Sequence, residues 1–465
     1  MNKALPLVLG CTLTLTLAAC SGGVVGRGEG RAKDASQPSA TAQEAGNPSA
    51  KGGKKTVVLA TSGSSDYFTA AKKKYEEKHP NIEIRIKDYR GEGRLDEQQY
   101  EKIIARMNTE LLSGKEAADL IVLDPFPVSK YVNKKMLANL SEMMEKDLSF
   151  PKDQVYGNLL DGLKLNGSLY YMPMSFYMDF LWGDEEAIAK AGVKFDDKTW
   201  TFSQFIATAK ELAKKGKHPY GVVGMSKAGA LNLLVKDNYS ALVDEVNRKA
   251  DFESGAFTGM LQRVKTLFDE NVFTEQNEGV EGYFSYRAQI GSLKDYFSFP
   301  VQYHEKGKLY QRPVPDGNRT GAYFSTFYDL GVYDKSPVKP EAWDFIKFLL
   351  SEEMQELTNT QDRDESYLGF PMNKAVLERQ LNRLQQDGKF EAEVESQKFK
   401  TIKVSEADIQ VLKQTISSAN KLRSKKSSKI EDVITEESKA FFTGQKTAEA
   451  VAKLIQNKVT TYLNE

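Results

Sequence analysis

Apolar residues follow two periodicities that alternate along the first part of the chain. Residues 56–60 and 118–123 form short apolar runs, and in residues 82–86 isoleucines alternate with charged side chains. These patterns predict two buried strands and one half-buried strand. Residues 68–75 and 97–113 place apolar side chains at helical spacing, with lysines and glutamates opposite. The order strand, helix, strand, helix, strand predicts an open α/β lobe.

Polar residues follow two of the predicted strands directly. In open α/β sheets, ligands bind in the crevice beyond the carboxyl ends of the strands. The turn at residues 62–65 follows the first strand, and Asp124 follows the third. Each has a structural alternative, because residues 62–65 can cap the next helix and Asp124 can cap a helix that begins near Val128.

The three tryptophans lie in different sequence contexts. Trp200 precedes Thr201–Gln204, which has the composition of a capping box, so we interpret Trp200 as a hydrophobic staple at the start of a helix. Trp343 lies on the apolar side of a predicted helix and is expected in the core. Trp182 ends an aromatic-rich predicted strand that begins near residue 173, and no packing role is evident for it.

The N-terminus has the pattern of an export signal. Lys3 precedes an apolar run, residues 4–19, which is shorter than the roughly 20 residues of a membrane span. The run ends in Leu17-Ala18-Ala19-Cys20, which resembles a bacterial lipobox. By that resemblance residues 1–19 are the signal peptide, and Cys20 becomes the first mature residue and carries acyl chains such as palmitate.

Residues 20–55 contain the predicted acylated cysteine and a stretch of Gly, Ser, Ala, Pro, Gln and charged residues without apolar periodicity. This composition predicts a disordered tether. Cleavage before Cys20 would remove Cys11, the other cysteine of the chain. The mature protein would then have no free thiol, which excludes disulfides, thiol catalysis and cysteine-ligated metals.

Charge and motifs exclude several classes of function. The chain has 64 Lys plus Arg against 64 Asp plus Glu, and this balance disfavours nucleic-acid binding. His79, His218 and His304 have no metal-ligand spacing. Because Gly-x-Ser-x-Gly, phosphate-loop and His-Glu-x-x-His motifs are also missing from the sequence, we expect neither a metal nor another cofactor.

Several segments, in the same order, resemble bacterial extracellular solute-binding proteins of the maltose-binding type, the receptors of ABC importers. These segments are residues 68–86, 118–140, 167–173, 198–217, 342–355, 369–373 and 442–447. The resemblance implies a two-lobed, periplasmic-binding-protein-like (type II) α/β fold with strands crossing between the lobes. By that pattern, lobe one comprises 56–174 plus 311–352, and lobe two comprises 175–310 plus 353–465.

The same resemblance places candidate ligand-binding residues on the loops and strands of an interlobe cleft. Sugars require flat aromatic rings for their C–H faces and carboxylates, amides or Arg for their hydroxyls. For each aromatic residue, ordinary core packing is the alternative. Gly183-Asp184 and residues 284–287 depart from the family pattern, which leaves the ligand class open. The candidates are Ser64, Asp66, Asp124, Tyr177, Trp182, Tyr286, Tyr296, Tyr323 and Phe324.

We therefore expect a monomeric receptor, lipid-anchored at the extracytoplasmic face of the cell membrane, that captures a carbohydrate or oligosaccharide and delivers it to the transmembrane subunits of an ABC permease. A peptide or polyamine ligand, and service to a sensor system, remain alternatives. A surface-anchored glycan-degrading enzyme is the rival from another class. It would need two carboxylates about 5–9.5 Å apart, and Asp124, Asp179 and Asp184 are conceivable members.

Overall fold

In the computed structural model, strands and helices alternate as the sequence predicts and form a large sheet with helices packed on it. The structure describes residues 53–63, 66–90, 97–114, 118–245, 247–303, 307–317, 320–359, 369–395, 398–423 and 428–464. The strands are β1 (Lys55–Thr61), β2 (Ile82–Asp88), β3 (Leu120–Val122), β4 (Met172–Asp184), β5 (Tyr220–Val222), β6 (Val243–Asp244), β7 (Lys249–Ala250), β8 (Gly282–Ile290), β9 (Gly307–Gln311), β10 (Ala322–Val332), β11 (Phe370–Pro371), β12 (Lys389–Glu395), β13 (Lys398–Lys403) and β14 (Ala419–Leu422).

The helices lie between these strands and after them. They are α1 (Asp66–Lys78), α2 (Glu97–Ser113), α3 (Val128–Asn133), α4 (Leu140–Lys146), α5 (Gly157–Gly162), α6 (Glu185–Ala191), α7 (Phe202–Lys215), α8 (Lys227–Asp237), α9 (Tyr239–Leu242), α10 (Gly255–Asp269), α11 (Leu293–Tyr303), α12 (Lys339–Leu349), α13 (Glu352–Gln355), α14 (Lys374–Asp387), α15 (Glu406–Ser418), α16 (Ser428–Phe442) and α17 (Ala448–Asn464). None of the helices in the described ranges combines the length and apolar character that a membrane span requires.

The predicted order of the first five elements is confirmed, from β1 through α1, β2 and α2 to β3. β1 pairs in parallel with both β2 and β3. The main sheet of the described chain continues in the order β2-β1-β3-β10-β4-β8-β5, and β9 and β11 also pair with β4. β10 runs antiparallel to β3 and to β4, so the sheet is mixed and the α/β prediction holds.

Local sequence signals set several helix ends. Thr201 and Gln204 form the predicted capping box at the start of α7, which satisfies backbone N–H groups that have no partner within the helix. Gly192 follows α6 with a φ of 69°, a left-handed conformation that glycine adopts without a Cβ clash. Trp200 and Trp343 are buried, at 3% and 5% exposure, in agreement with their predicted packing roles.

The apolar side chains form two separate cores, and β4 passes from one into the other. Phe180 belongs to the first core, and the next residue, Leu181, belongs to the second. The first core takes side chains from residues 57–180, 288–297 and 322–419. The second takes side chains from residues 181–284, Tyr310 and residues 430–463.

The lobe boundaries inferred from the sequence stay a prediction. Residues 288–297 and 370–419, which that prediction assigns to lobe two, contribute apolar side chains to the first core. Since side chains that share a core move together, we propose that both segments belong to lobe one. β4, β8 and the segment after β9 would then cross between the lobes.

Candidate functional site

The strands that join the two cores carry polar side chains on one face. Asp179 of β4 is the cross-strand partner of Tyr323 in β10 and of Gln289 in β8. Tyr177 is the partner of Ser325. Because directly opposite residues of paired strands project to the same side of the sheet, these five side chains share one face.

The other face of the same strands is apolar. Phe176, Met178, Ile290 and Phe324 are fully buried there and belong to the first core. The strand alternation therefore places the polar residues of β4 and β10 away from that core.

An ion pair is buried beside the polar face. Nη2 of Arg312, just after β9, donates to Oδ1 and Oδ2 of Asp237, the last residue of α8, at 3.1 and 3.2 Å. Their side chains are 4% and 8% exposed. The guanidinium also lies over the rings of Tyr323 and Tyr286, 4.3 and 5.5 Å from the two centroids. Both charges are thus held in a largely dehydrated position by each other and by aromatic rings.

Polar atoms without hydrogen-bond partners converge around this ion pair. Within the described residues, Oδ2 of Asp179, Nε of Arg312 and the hydroxyls of Tyr286 and Tyr323 are buried and unpaired. The other oxygen of Asp179 accepts from Nη1 of Arg423 at 3.3 Å. Leaving a buried polar group unpaired costs about 1–3 kcal/mol, so four of them in one place indicate a position that a polar ligand or water completes.

Burial sets the protonation states of this group. It raises the pKa of Asp179 above its usual value, although Arg312 and Arg423 oppose the shift. It also raises the pKa values of the Tyr286 and Tyr323 phenols far above the usual range, and nearby Asp237 adds to the effect. Both tyrosines therefore stay protonated near neutral pH and can donate a hydrogen bond to a ligand.

We call Tyr177, Asp179, Tyr286, Arg312 and Tyr323 the crossing-strand site. The structure thus brings together three aromatic residues that the sequence singles out, Tyr177, Tyr286 and Tyr323. The Tyr177 ring lies against Gly291, where an added Cβ would come within 2.3 Å of it. The missing side chain at this glycine leaves the space that the ring occupies at the polar face.

The other candidates lie elsewhere, and their role in binding stays a prediction. Ser64 lies outside the described residues. Asp66 is the exposed first residue of α1. Tyr296 packs against the first core with its ring centroid 5.8 Å from that of Phe180, and Phe324 is fully buried in that core. Trp182 lines a different cavity, at the far end of β4.

Asp124 has a backbone partner in the neighbouring strand. Its two carboxylate oxygens accept from the backbone N–H groups of Tyr328 and Asp329 at 3.1 and 3.0 Å. Tyr328 has a φ of 52°, a left-handed conformation that is costly for a bulky residue. The N-cap position of α3 is occupied by Pro127. Asp124 therefore supports a strained turn of the backbone within β10.

The sequence did not single out Arg312 or Asp237. An aspartate in the last turn of a helix is unfavourable next to the negative end of the helix dipole, and α8 ends in Asp237. An aspartate at this position therefore indicates weakly that a positively charged side chain lies nearby, but it does not identify that side chain as Arg312. Among the described residues, no cluster of His, Cys, Asp and Glu is arranged to hold a metal ion.

The geometry can be compared with that of known proteins. An ABC substrate-binding protein from Listeria monocytogenes, solved in complex with cycloalternan, is 17% identical over 88% of this chain and 99% of that chain, with a TM-score of 0.53. A family 1 extracellular solute-binding protein from Alicyclobacillus acidocaldarius is 15% identical over 90% and 100%, with a TM-score of 0.57. The sugar-binding protein MalE from Xanthomonas citri is 13% identical over 88% and 98%, also with a TM-score of 0.57.

At these identities the solved structures show the fold, and the predicted two-lobed periplasmic-binding-type architecture is confirmed. The sequence itself matches the family described as bacterial extracellular solute-binding protein over residues 61–356, more than half of the chain. The chain therefore belongs to the family of bacterial extracellular solute-binding proteins.

Proposed function

We propose that this protein is an extracytoplasmic receptor that captures a carbohydrate at the crossing-strand site and delivers it to an ABC importer. The observation that carries the proposal is the set of unpaired buried polar atoms on Asp179, Arg312, Tyr286 and Tyr323. A sugar ring presents hydroxyls that a carboxylate, a guanidinium and phenols can bind, and apolar C–H faces that pack on tyrosine rings. The site offers both kinds of group.

The names of the relatives support the ligand class. The Listeria protein was solved with cycloalternan, and the Xanthomonas protein is named as sugar-binding. The structure of a Thermotoga maritima MalE3 contains maltose and aligns with 99% of that chain, at 17% identity and a TM-score of 0.50. A carbohydrate fits both these names and the chemistry of the site better than a peptide or polyamine does.

The hydrogen-bond partners of the candidate catalytic aspartates favour a receptor over a glycan-degrading enzyme. Asp124 is engaged by two backbone amides of β10. Asp184 caps α6 and contacts His218, with its Oδ2 2.9 Å from Nε2. Of the three aspartates that could form a hydrolytic pair, only Asp179 belongs to the crossing-strand site. Asp237, the other carboxylate beside it, is engaged by Arg312, whereas hydrolysis of a glycosidic bond needs two carboxyl groups that act on the substrate.

A screen by thermal shift tests the ligand class directly. A ligand at about 100 times its dissociation constant stabilises the folded state by about 2.7 kcal/mol, a clearly measurable shift. We expect mono- or oligosaccharides to raise the unfolding temperature. Stabilisation by peptides or polyamines alone would contradict a carbohydrate ligand, and turnover of a glycan would contradict the receptor role.

Contacts at one edge of the molecule join groups that belong to different cores. Nδ2 of Asn133, at the end of α3, donates to the carbonyl of Glu245 at 2.9 Å. Nζ of Lys130 lies 4.3 Å from the ring centroid of Tyr462 in α17. α3 contributes Tyr131 to the first core, whereas α17 packs in the second. We call these two contacts the rim latch, and we propose that opening of the cleft breaks them.

The rim latch predicts a measurable effect on ligand release. The double variant Lys130→Gln/Asn133→Ala should increase the ligand dissociation rate about tenfold, because it removes a cation–π contact and a hydrogen bond that together contribute roughly 1.4 kcal/mol to the closed form. Stopped-flow fluorescence measures this rate. Lys134→Gln, an exposed lysine on the same turn, is the matched control. Equal dissociation rates in both variants would show that the latch does not hold the closed form.

We further propose that the mature chain is anchored through acylated Cys20. This cysteine, the signal peptide and residues 21–52 of the predicted tether lie outside the described residues, whereas Lys55 already belongs to β1. Cys20→Ala should abolish incorporation of radiolabelled palmitate and shift the protein from the membrane fraction to unprocessed or soluble forms, because the acylated side chain is lost. Cys11→Ala, within the predicted signal, is the control and should leave both unchanged. Continued acylation of Cys20→Ala would refute the lipobox.

A further inference from the structure

A cavity of about 310 Å³ lies at the carboxyl end of β4. It lies where the end of β4, the start of β8 and the helix α11 meet. Trp182 and Phe299 supply aromatic surface, and Asn277, Ser285 and His218 supply polar groups. Ligand-binding cavities in proteins begin at about 300 Å³ and combine apolar walls with a few placed polar groups.

A rigidly held histidine forms part of its wall. His218 is 2% exposed, and its Nε2 lies 2.9 Å from Oδ2 of Asp184. Oδ1 of Asp184 accepts from the backbone N–H of Ala187 at 2.9 Å, which fixes the carboxylate. The imidazole also packs edge-on against Tyr283 with 5.0 Å between ring centroids. Because a carboxylate accepts hydrogen bonds, Nε2 of His218 donates to Asp184.

The second nitrogen of His218 faces Glu281 at the wall of the cavity. Nδ1 is buried, and Oε2 of Glu281 lies 3.0 Å away, outside hydrogen-bond geometry. The side chain of Glu281 is 68% exposed and can rotate into solvent. Such a rotation would let a ligand hydroxyl take the place of Glu281 beside Nδ1, and Glu281 could accept from a neighbouring hydroxyl.

Trp182 provides a fixed flat wall. Its indole Nε1 donates to the carbonyl of Pro300 at 3.1 Å, and the residue is only partly buried. A fixed aromatic ring beside hydroxyl-binding groups suits the apolar face of a sugar ring. This accounts for the tryptophan to which the sequence assigned no packing role.

The cavity is separate from the crossing-strand site. Trp182 lies three residues after Asp179 in β4, and β4 pairs with β9 without a register shift from Phe180 to Asp184. Because side chains alternate along a strand, Trp182 and Asp179 project from opposite faces of the sheet. The described lining of the cavity includes no residue of the crossing-strand site.

We propose that this cavity is a second carbohydrate site that binds a single pyranose ring, stacked on Trp182 and hydrogen-bonded by Asn277, Ser285, Glu281 and His218. The described lining of the cavity does not include Asp179 or any other residue of the crossing-strand site, so binding here can be tested separately from the receptor function proposed above.

Fluorine NMR of the protein labelled with 5-fluorotryptophan tests the second site. The three tryptophans give three signals, and Trp182→Phe assigns the signal of interest, while buried Trp200 and Trp343 act as internal references for the fold. D-glucose, D-galactose, D-mannose and N-acetyl-D-glucosamine are titrated separately. The same titrations are repeated on Asn277→Ala, on Ser285→Val and on Asp179→Asn, which alters only the crossing-strand site.

We expect at least one sugar to shift the Trp182 signal saturably while the other two signals stay in place. Asn277→Ala and Ser285→Val should each weaken that binding about tenfold, equivalent to about 1.4 kcal/mol, and Asp179→Asn should leave it unchanged. The proposal is overturned if no sugar moves the Trp182 signal or if both cavity variants bind as tightly as the parent. It is also overturned if Asp179→Asn abolishes the shift, because the signal would then report ligand in the crossing-strand site.

Discussion

Asp179→Asn should lower the affinity for the carbohydrate ligand about 100-fold without lowering the unfolding temperature of the ligand-free protein. A hydrogen bond to a charged group contributes about 1.5–3 kcal/mol, and Oδ2 of Asp179 is buried without a partner in the described structure. Burial already raises the pKa of this carboxyl, so its charge is unfavourable in the empty site. The neutral asparagine side chain of the variant avoids the cost of burying a charge, but it forms a weaker hydrogen bond with the ligand hydroxyl.

Asp119 is a matched control for this prediction. It is another buried aspartate beside the same sheet, but its oxygens accept from Val58 N–H at 2.8 Å and from the Ser336 hydroxyl at 2.6 Å. Asp119→Asn should therefore lower the unfolding temperature and leave the affinity unchanged. Calorimetric titration measures the affinity of each variant for the ligand, and thermal unfolding measures its stability. Together they distinguish a ligand-binding aspartate from one that stabilises the fold. If Asp179→Asn instead loses stability and keeps its affinity, Asp179 is a structural residue.

Asp237→Ala should destabilise the fold by about 3–5 kcal/mol, since removing one partner of a buried ion pair leaves the other charge uncompensated. Burial lowers the pKa of Arg312, but Asp237 and Asp179 outweigh this effect and hold the pKa above its usual range. Because arginine is not deprotonated in proteins, the guanidinium stays charged when Asp237 is lost. Urea denaturation measures the free energy of unfolding. If the dependence of this free energy on urea concentration is the same in the variant and the parent, both expose the same surface on unfolding.

Asp269 provides the comparison for Asp237, because each is the last residue of a helix in the second half of the molecule, α10 and α8. Asp269 pairs with Lys265, but the two side chains are 56% and 45% exposed. Exposed pairs contribute little, so Asp269→Ala should cost less than about 0.5 kcal/mol. If both variants lose a similar amount of free energy of unfolding, the buried pair of Arg312 and Asp237 stabilises the fold no more than an exposed pair does.

The parts of the fold that could be predicted are those set by local patterns. β1, α1, β2, α2 and β3 follow from apolar periodicity, and the start of α7 follows from Thr201 and Gln204, whose side chains bind backbone within the same turn. The hairpin of β12 and β13 was not predicted. Its first strand does carry a local signal, because Phe390, Ala392 and Val394 alternate with charged residues, whereas β13 shows no regular alternation.

The candidate site was predicted only in part, because its members meet through tertiary pairing. Arg312 and Asp237 lie 75 residues apart, and neither lies in a recognisable motif. Tyr323 could be selected as an aromatic in a predicted strand, but its position opposite Asp179 depends on the register of β10. Trp182 was predicted to bind the ligand together with Tyr177, but the alternation of β4 places it on the face opposite Asp179, where it lines another cavity, and its role in binding stays a prediction.

The interleaving of the two cores has a consequence for how the chain folds. The first core begins at Val57 but also requires Ile416 and Ala419, and the second begins at Leu181 and requires Leu463. Neither core can close until most of the polypeptide has been synthesised, and contacts so distant in sequence must first overcome loop-closure entropy. We therefore expect slow folding and no stable N-terminal fragment. Slow closure of the two cores would prolong the time that the chain spends unfolded, as the export predicted from its N-terminus would require.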